Sequence, residues 1–151
     1  MQRQRIAREL EKLASAPPTG ISVAPRDDKL NFLEAQMIGP DNTPYKNGVF
    51  KVQLQISEKY PFSPPIVKFL TKVYHPNIDD NGRVCMDLTK LPPKGCWRPT
   101  VGLEGVLIAV RMLLESPNAD DPLMVDIADE YNNTYSEFVK KAQMYTEKYA
   151  C

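Results

Sequence analysis

The 151-residue chain holds one histidine, one tryptophan and three cysteines, and its nineteen basic residues are balanced by nineteen acidic ones. Each of these shortages excludes a class of function. Zero net charge argues against a protein that works by coating nucleic acid or an anionic membrane, although local basic patches remain compatible with it. One imidazole is too few for the usual Cys and His zinc sets, and Cys85, Cys96 and Cys151 form neither a CxxC pair nor an even disulfide set, so no metal is expected. No segment approaches the about 20 consecutive apolar residues of a membrane span. The N-terminus, MQRQRIARELEKLASA, is charged throughout and lacks a signal-peptide core. The expected compartment is therefore cytosol or nucleus, where thiols stay reduced and each cysteine is by default a small buried hydrophobe.

What is present organises as one domain, residues 1–151, long enough to bury roughly two thirds of its unfolded surface without staples. Ile6, Leu10 and Leu13 recur at helical spacing ahead of Pro17-Pro18, and the other face of that helix carries Arg3, Arg5, Arg8 and Lys12. That basic face is a solvated surface or a docking surface. Strands follow at ISVAP (21–25), LNFLEAQMI (30–38), VFKVQLQI (49–56) and IVKFL (66–70). The third alternates strictly, with Phe50, Val52, Leu54 and Ile56 on one side. The turn-rich GPDNTPYKNG makes an antiparallel meander the natural connection.

Between 71 and 100 periodicity disappears and prolines and glycines are dense, which in a domain of this size marks a functional loop. It returns with Leu103, Val106, Leu107, Val110, Leu113 and Leu114, one face of a helix from about 101 to 115 despite Gly102 and Gly105. Ile108 and Met112 fall off that stripe, as the edge of a wide core face or as an exposed contact pair. Asp121-Pro122 reads as an N-cap and first helical position for a short helix through Tyr131. Thr134 with Glu137 reads as a capping box for a last helix whose core side is Tyr135, Phe138, Val139, Ala142, Tyr145 and Tyr149. The fold class is α+β: a helix, a four-stranded antiparallel meander, a long active-site loop and about three further helices covering one sheet face.

The loop carries HPNIDDNGRVCMD, residues 75–87, with the only histidine and Cys85. A Cys and His dyad for hydrolysis is the first chemistry to test. Pro76 counts against it by restricting and stiffening His75, which suits a ring anchored to main chain. The other chemistry is acyl carriage: a thioester on an exposed cysteine survives water but reacts with an amine held in place, given an oxyanion donor and no efficient water-activating base. Asn77 fits the donor, or is simply a turn asparagine.

The order YHPNI, NGRVCMD, CWRP and SPNADDPL, with GPDNTPYKNGVF and YPFSPPIVKF before it, resembles the ubiquitin-conjugating enzyme family over essentially the whole chain. The long TKLPPKGCWRP passage is similar to the branch of that family that acts in the Fanconi anaemia pathway. The resemblance implies that Cys85 takes ubiquitin's C-terminus as a thioester from an activating enzyme and passes it to a lysine of a protein substrate. It implies that Asn77 steadies the oxyanion or the loop geometry, that Asp121 orients and deprotonates the incoming lysine, and that His75, Pro76 and Trp97 are structural. Arg5, Phe62 and Pro99 match contacts for RING-type ligases, Ile108 and Met112 the contact with the donor ubiquitin, and Ser22 a non-covalent ubiquitin site on the back of the sheet. By itself, Phe62 between prolines reads as core.

The implied protein is a monomer of nucleus and cytoplasm that adds single ubiquitins in DNA interstrand crosslink repair, with no metal or organic cofactor and no direct contact with nucleic acid or membrane. Lys90 and Lys94, near Cys85 in sequence, are candidate self-modification sites. The same fold would also serve an inactive ubiquitin-binding scaffold or a conjugating enzyme for another ubiquitin-like modifier. Departures from the pattern are Cys96 in place of a small residue, MD after Cys85 where LD is usual, Leu33 where many relatives carry Trp, and an end at Cys151 short of the charged tail that branch carries.

Overall fold

The strict alternation in the third predicted strand sets the architecture, because a strand with one wholly apolar face must lay that face on something. In the computed structural model, which describes residues 2–25 and 31–151, Phe50, Val52 and Leu54 are fully buried. The four strands β1 (Ile21–Pro25), β2 (Phe32–Ile38), β3 (Val49–Gln55) and β4 (Ile66–Phe69) form an antiparallel sheet in chain order. Register places Leu33 against Leu54, Ala35 against Val52 and Met37 against Phe50, while Phe69 and Val67 continue those rows on β4. One side of the sheet is therefore continuous hydrocarbon. Leu30, at the start of the predicted second strand, lies outside the described residues.

Three helices follow the sheet, α2 (Gly102–Glu115), α3 (Val125–Asn133) and α4 (Tyr135–Tyr149), and α1 (Gln2–Ser15) precedes it. The predicted stripe of α2 is buried from Leu103 to Leu114 and joins Ile6 and Leu13 of α1 and the inner face of the sheet in one hydrophobic cluster. The fold is α+β, as the pattern of elements predicts.

Three local expectations are corrected. Asp121 is not a helix cap: α3 starts at Val125, with Met124 in the cap position. The reason is tertiary. Pro76 O accepts hydrogen bonds from the backbone N–H of Leu123 (3.0 Å) and Met124 (2.9 Å), so the groups that would open a turn at Asp121 are bonded to the active-site loop instead. Thr134 does occupy the cap position of α4, but its hydroxyl points back to Glu130 O at 3.3 Å and the capping box with Glu137 does not form. The buried row of α4 is Phe138, Ala142 and Thr146, with Val139 half-buried. Tyr135, Tyr145 and Tyr149 lie on the surface, their rings packed on neighbours such as Phe138 and Tyr74. A tyrosine at helical spacing satisfies an apolar pattern while its hydroxyl keeps it near water.

Candidate active site

The loop from Leu70 to Thr100 earns its shape from side chains that bond main chain. Asp79 accepts from the N–H groups of Asn81 (3.0 Å) and Arg83 (2.9 Å) and from Arg83 Nε (2.8 Å), closing the IDDNGR turn. Gly82 sits there at φ +87°, where a Cβ would lie 2.0 Å from Phe69 O, so only glycine fits. The chain then returns antiparallel, and Cys85 N donates to Asn77 O at 2.9 Å. That bond holds the cysteine beside the HPN segment, half-buried.

His75 is fully buried. Its Nε2 lies 2.7 Å from Leu113 O on α2, and its Nδ1 accepts from Asn77 N at 2.9 Å, which defines the Nε2–H tautomer. Burial pushes its pKa down from 6.5 to about 4, against the opposing pull of the Leu113 carbonyl. The ring is thus a neutral staple between loop and helix, and both nitrogens are engaged. Between those two values the unfolded chain binds more proton than the folded one, so stability is full above pH 6.5 and falls as pH drops towards about 4. At roughly 1.4 kcal/mol per pH unit the loss approaches about 3 kcal/mol. Urea titrations across that pH range should show this slope in the wild type and lose the histidine's share of it in His75→Gln; an equal slope in both would refute the buried neutral ring.

Asn77 is likewise fully buried. Its Nδ2 donates to Asn118 O (2.9 Å) and Asp121 O (3.2 Å), and its Oδ1 accepts from Asn118 N (2.9 Å). The side chain is a three-point clamp on the segment that carries Asp121 past the cysteine. Asp121 itself is exposed, and its charge reaches Lys90. Lys90 Nζ stands 3.4 Å from Cys85 Sγ, a bond that raises the lysine's pKa, helped by Asp121 and Asp87 and opposed by slight burial. Lys94 is exposed further along the same loop.

Trp97 is buried, with Nε1 donating to Pro61 O at 3.0 Å and its ring tilted on Tyr60. Arg5 of α1 donates to Pro99 O, and its guanidinium lies 5.7 Å from the Tyr60 ring centroid. Phe62, which by itself reads as core, is 76% exposed. Arg5, Phe62 and Pro99 are thereby drawn to one region of the surface. Ile108 and Met112 are exposed by 38% and 59% on the outer side of α2, so they are not the edge of its core face. Ser22 lies on the exposed side of β1, opposite Gln36.

The default of buried cysteines is also corrected, since Cys96 and Cys151 are exposed. The sequence offers Glu9 only as the one-turn partner of Arg5, an ion pair the structure forms at 3.2 Å. Glu9 Oε1 accepts from Leu103 N (2.8 Å) and its Oε2 from Tyr60 OH (2.6 Å), so a residue of α1 caps the first turn of α2. Glu9 and Leu103 are far apart in the chain, and nothing local signals the bond. Among the described residues, no group of His, Cys, Asp and Glu is placed to hold a metal ion.

A half-exposed thiol, a neutral buried imidazole and an acidic residue clamped nearby make a site that can hold an acyl group and present it to an amine. Comparison with known proteins agrees. The family model described as Ubiquitin-conjugating enzyme matches residues 5–146. The human protein named Ubiquitin-conjugating enzyme E2 T is 50% identical over 151 residues, covering 99% of this chain and 77% of the relative. The Danio rerio protein of that name is 46% identical, covering 99% and 78%. The Saccharomyces cerevisiae protein named Ubiquitin-conjugating enzyme E2 13 is 40% identical over 147 residues, covering 97% and 94%.

Proposed function

The chain belongs to the ubiquitin-conjugating enzyme family and is a thioester-forming transferase, and from this premise we propose that it carries ubiquitin on Cys85 and works with a RING-type ligase in the manner of type T enzymes. The carrying observation is the buried, doubly bonded His75: the half-buried Cys85 is bonded to the Asn77 backbone while the chain's one imidazole is withheld from water activation. A thiol hydrolase needs that imidazole free. Support for the branch comes from the LPPKG loop and from the identity to proteins named E2 T in several vertebrates.

In this reading Cys85 attacks the activating enzyme's thioester, a C–S bond forms as the donor's C–S bond breaks, and the activating enzyme leaves as thiol. A substrate lysine then attacks the Cys85 thioester, its proton passing towards Asp121, and the C–S electron pair returns to sulfur. Arg5, Phe62 and Pro99 form the ligase contact, Ile108 and Met112 hold the donor ubiquitin, and Ser22 marks a non-covalent ubiquitin site. The product is a single ubiquitin on a protein of DNA interstrand crosslink repair, made by a monomer of nucleus and cytoplasm. Lys90 and Lys94 accept ubiquitin in self-modification.

The test is charging with activating enzyme and ATP, using ubiquitin and other ubiquitin-like modifiers in parallel. Ubiquitin should charge and the others should not; selective charging by another modifier would overturn the assignment. Adding a RING ligase should speed discharge, and Phe62→Ala should remove most of that acceleration while leaving charging intact, because an exposed aromatic anchor costs binding rather than folding when truncated. Peptide mass spectrometry of the same mixture reads self-modification, and conjugates on neither Lys90 nor Lys94 would exclude it.

A further inference from the structure

The 87–97 loop is closed by backbone hydrogen bonds that fix residue 90. Lys90 N donates to Asp87 O (3.1 Å), Lys90 O accepts from Trp97 N (3.0 Å), and Cys96 N donates to Asp87 O (3.0 Å). The loop doubles back so closely that a Cβ on Gly95 would lie 2.3 Å from Lys90 Cβ and 2.4 Å from the carbonyl oxygens of Asp87 and Lys90. Trp97, which anchors the return, is itself tied to Pro61 O by its indole N–H. The consequence of this folding is that Lys90 Nζ meets the Cys85 sulfur at 3.4 Å.

We propose that Lys90 is a catalytic residue of the transfer reaction, its ammonium stabilising negative charge on the Cys85 sulfur whenever that sulfur is a thiolate. This rests on the thioester reading of the site and deepens it. In charging, the thiolate is the nucleophile: the Sγ–C bond forms, the activating enzyme's C–S bond breaks, and that enzyme's sulfur keeps the electron pair. In discharge the thiolate is the leaving group: the lysine N–C bond forms, the Sγ–C bond breaks, and the electron pair arrives on Sγ beside the Lys90 ammonium, which supplies a charge-assisted hydrogen bond. The charged groups acting on Lys90 are Cys85 on its own loop, Asp87 at the start of the 3-10 turn (Asp87–Thr89) and Asp121 on the segment clamped by Asn77; all three favour its protonated form. This role is distinct from that of acceptor, which requires the neutral amine.

The experiment is alkylation of the uncharged protein by iodoacetamide at about neutral pH, followed at the Cys85 peptide by mass spectrometry because Cys96 and Cys151 are exposed thiols as well, comparing wild type, Lys90→Met and Lys90→Arg. It reads thiolate reactivity without ubiquitin or activating enzyme, so its outcome is separable from failure of the modifier assignment. Lys90→Met should slow alkylation by about three- to fivefold, the effect of one partly exposed charge pair, and Lys90→Arg should restore it. Single-turnover discharge to free lysine should follow the same order, with the gap narrowing at high salt. Alkylation of Lys90→Met at the wild-type rate overturns the proposal, as does equal slowing in Lys90→Met and Lys90→Arg, which would assign the effect to packing. Gly95→Ala, which displaces Lys90 without altering its charge, should slow alkylation like Lys90→Met; a wild-type rate there also counts against it.

Discussion

Cys85→Ser is expected to turn the ubiquitin adduct from one that reducing agent releases into one that resists it, and to stop transfer to lysine on the timescale of thioester discharge. Serine is smaller by little and keeps the Cys85 N to Asn77 O bond, so the loop should hold its shape. What changes is the bond. An oxygen ester lacks the activation of a thioester, and its departing alkoxide is a far poorer leaving group than the thiolate. The site also offers no imidazole to compensate by general acid catalysis, because His75 is buried with both nitrogens bonded. Gel analysis with and without reductant, after incubation with activating enzyme, ATP and ubiquitin, measures the outcome directly. The exposed thiols of Cys96 and Cys151 make this variant decisive. If Cys85→Ser still formed a reductant-sensitive adduct, one of those two would be the carrier; serine at both of them should leave wild-type charging intact.

Much of the fold was legible because its elements obey periods that sequence displays. The alternation in β3 and the stripe of α2 each correspond to a buried face in the structure. Legibility ends where a tertiary bond overrides a local rule. Asp121-Pro122 has the chemistry of a helix start, yet Pro76, more than forty residues earlier, captures the amides of Leu123 and Met124 and moves the start of α3 to Val125. The cap of α2 is supplied by Glu9 from another helix, which no local window can contain. Tyr135, Tyr145 and Tyr149 fit the core stripe of α4 by period and yet lie on the surface, because period alone does not distinguish a ring that packs outside from one that packs inside. At the site, residue types indicated which side chains mattered better than they indicated what each touches. Sequence leaves two roles open for Asn77 and offers Lys90 only as an acceptor, whereas the structure shows the clamp of the one and the sulfur contact of the other.

Asn77→Ala separates those two roles, and its largest effect should be on stability and on lysine transfer together. The amide spends both of its donors and its acceptor on the segment from Asn118 to Asp121. Removing it leaves two carbonyls and one N–H of a part-buried loop without their partner. At about 1 kcal/mol or more for each unsatisfied group, the cost is roughly 2–4 kcal/mol. In a chain of this size that corresponds to a fall in Tm of about 5–15 °C. Asn77→Asp should be no better despite its matching shape, because one carboxylate oxygen can still accept from Asn118 N while the other is set against the Asn118 and Asp121 carbonyl oxygens. Amide exchange in residues 118–124 should quicken in both variants. Discharge to lysine should suffer more than charging, since Asp121 loses its tether while Cys85 keeps its bond to the backbone carbonyl of residue 77. The opposite result would be as informative: unchanged Tm and unchanged exchange at 118–124, with transfer abolished, would mean that the amide leaves its clamp to bond the oxyanion and that the three bonds seen here are those of the resting site alone.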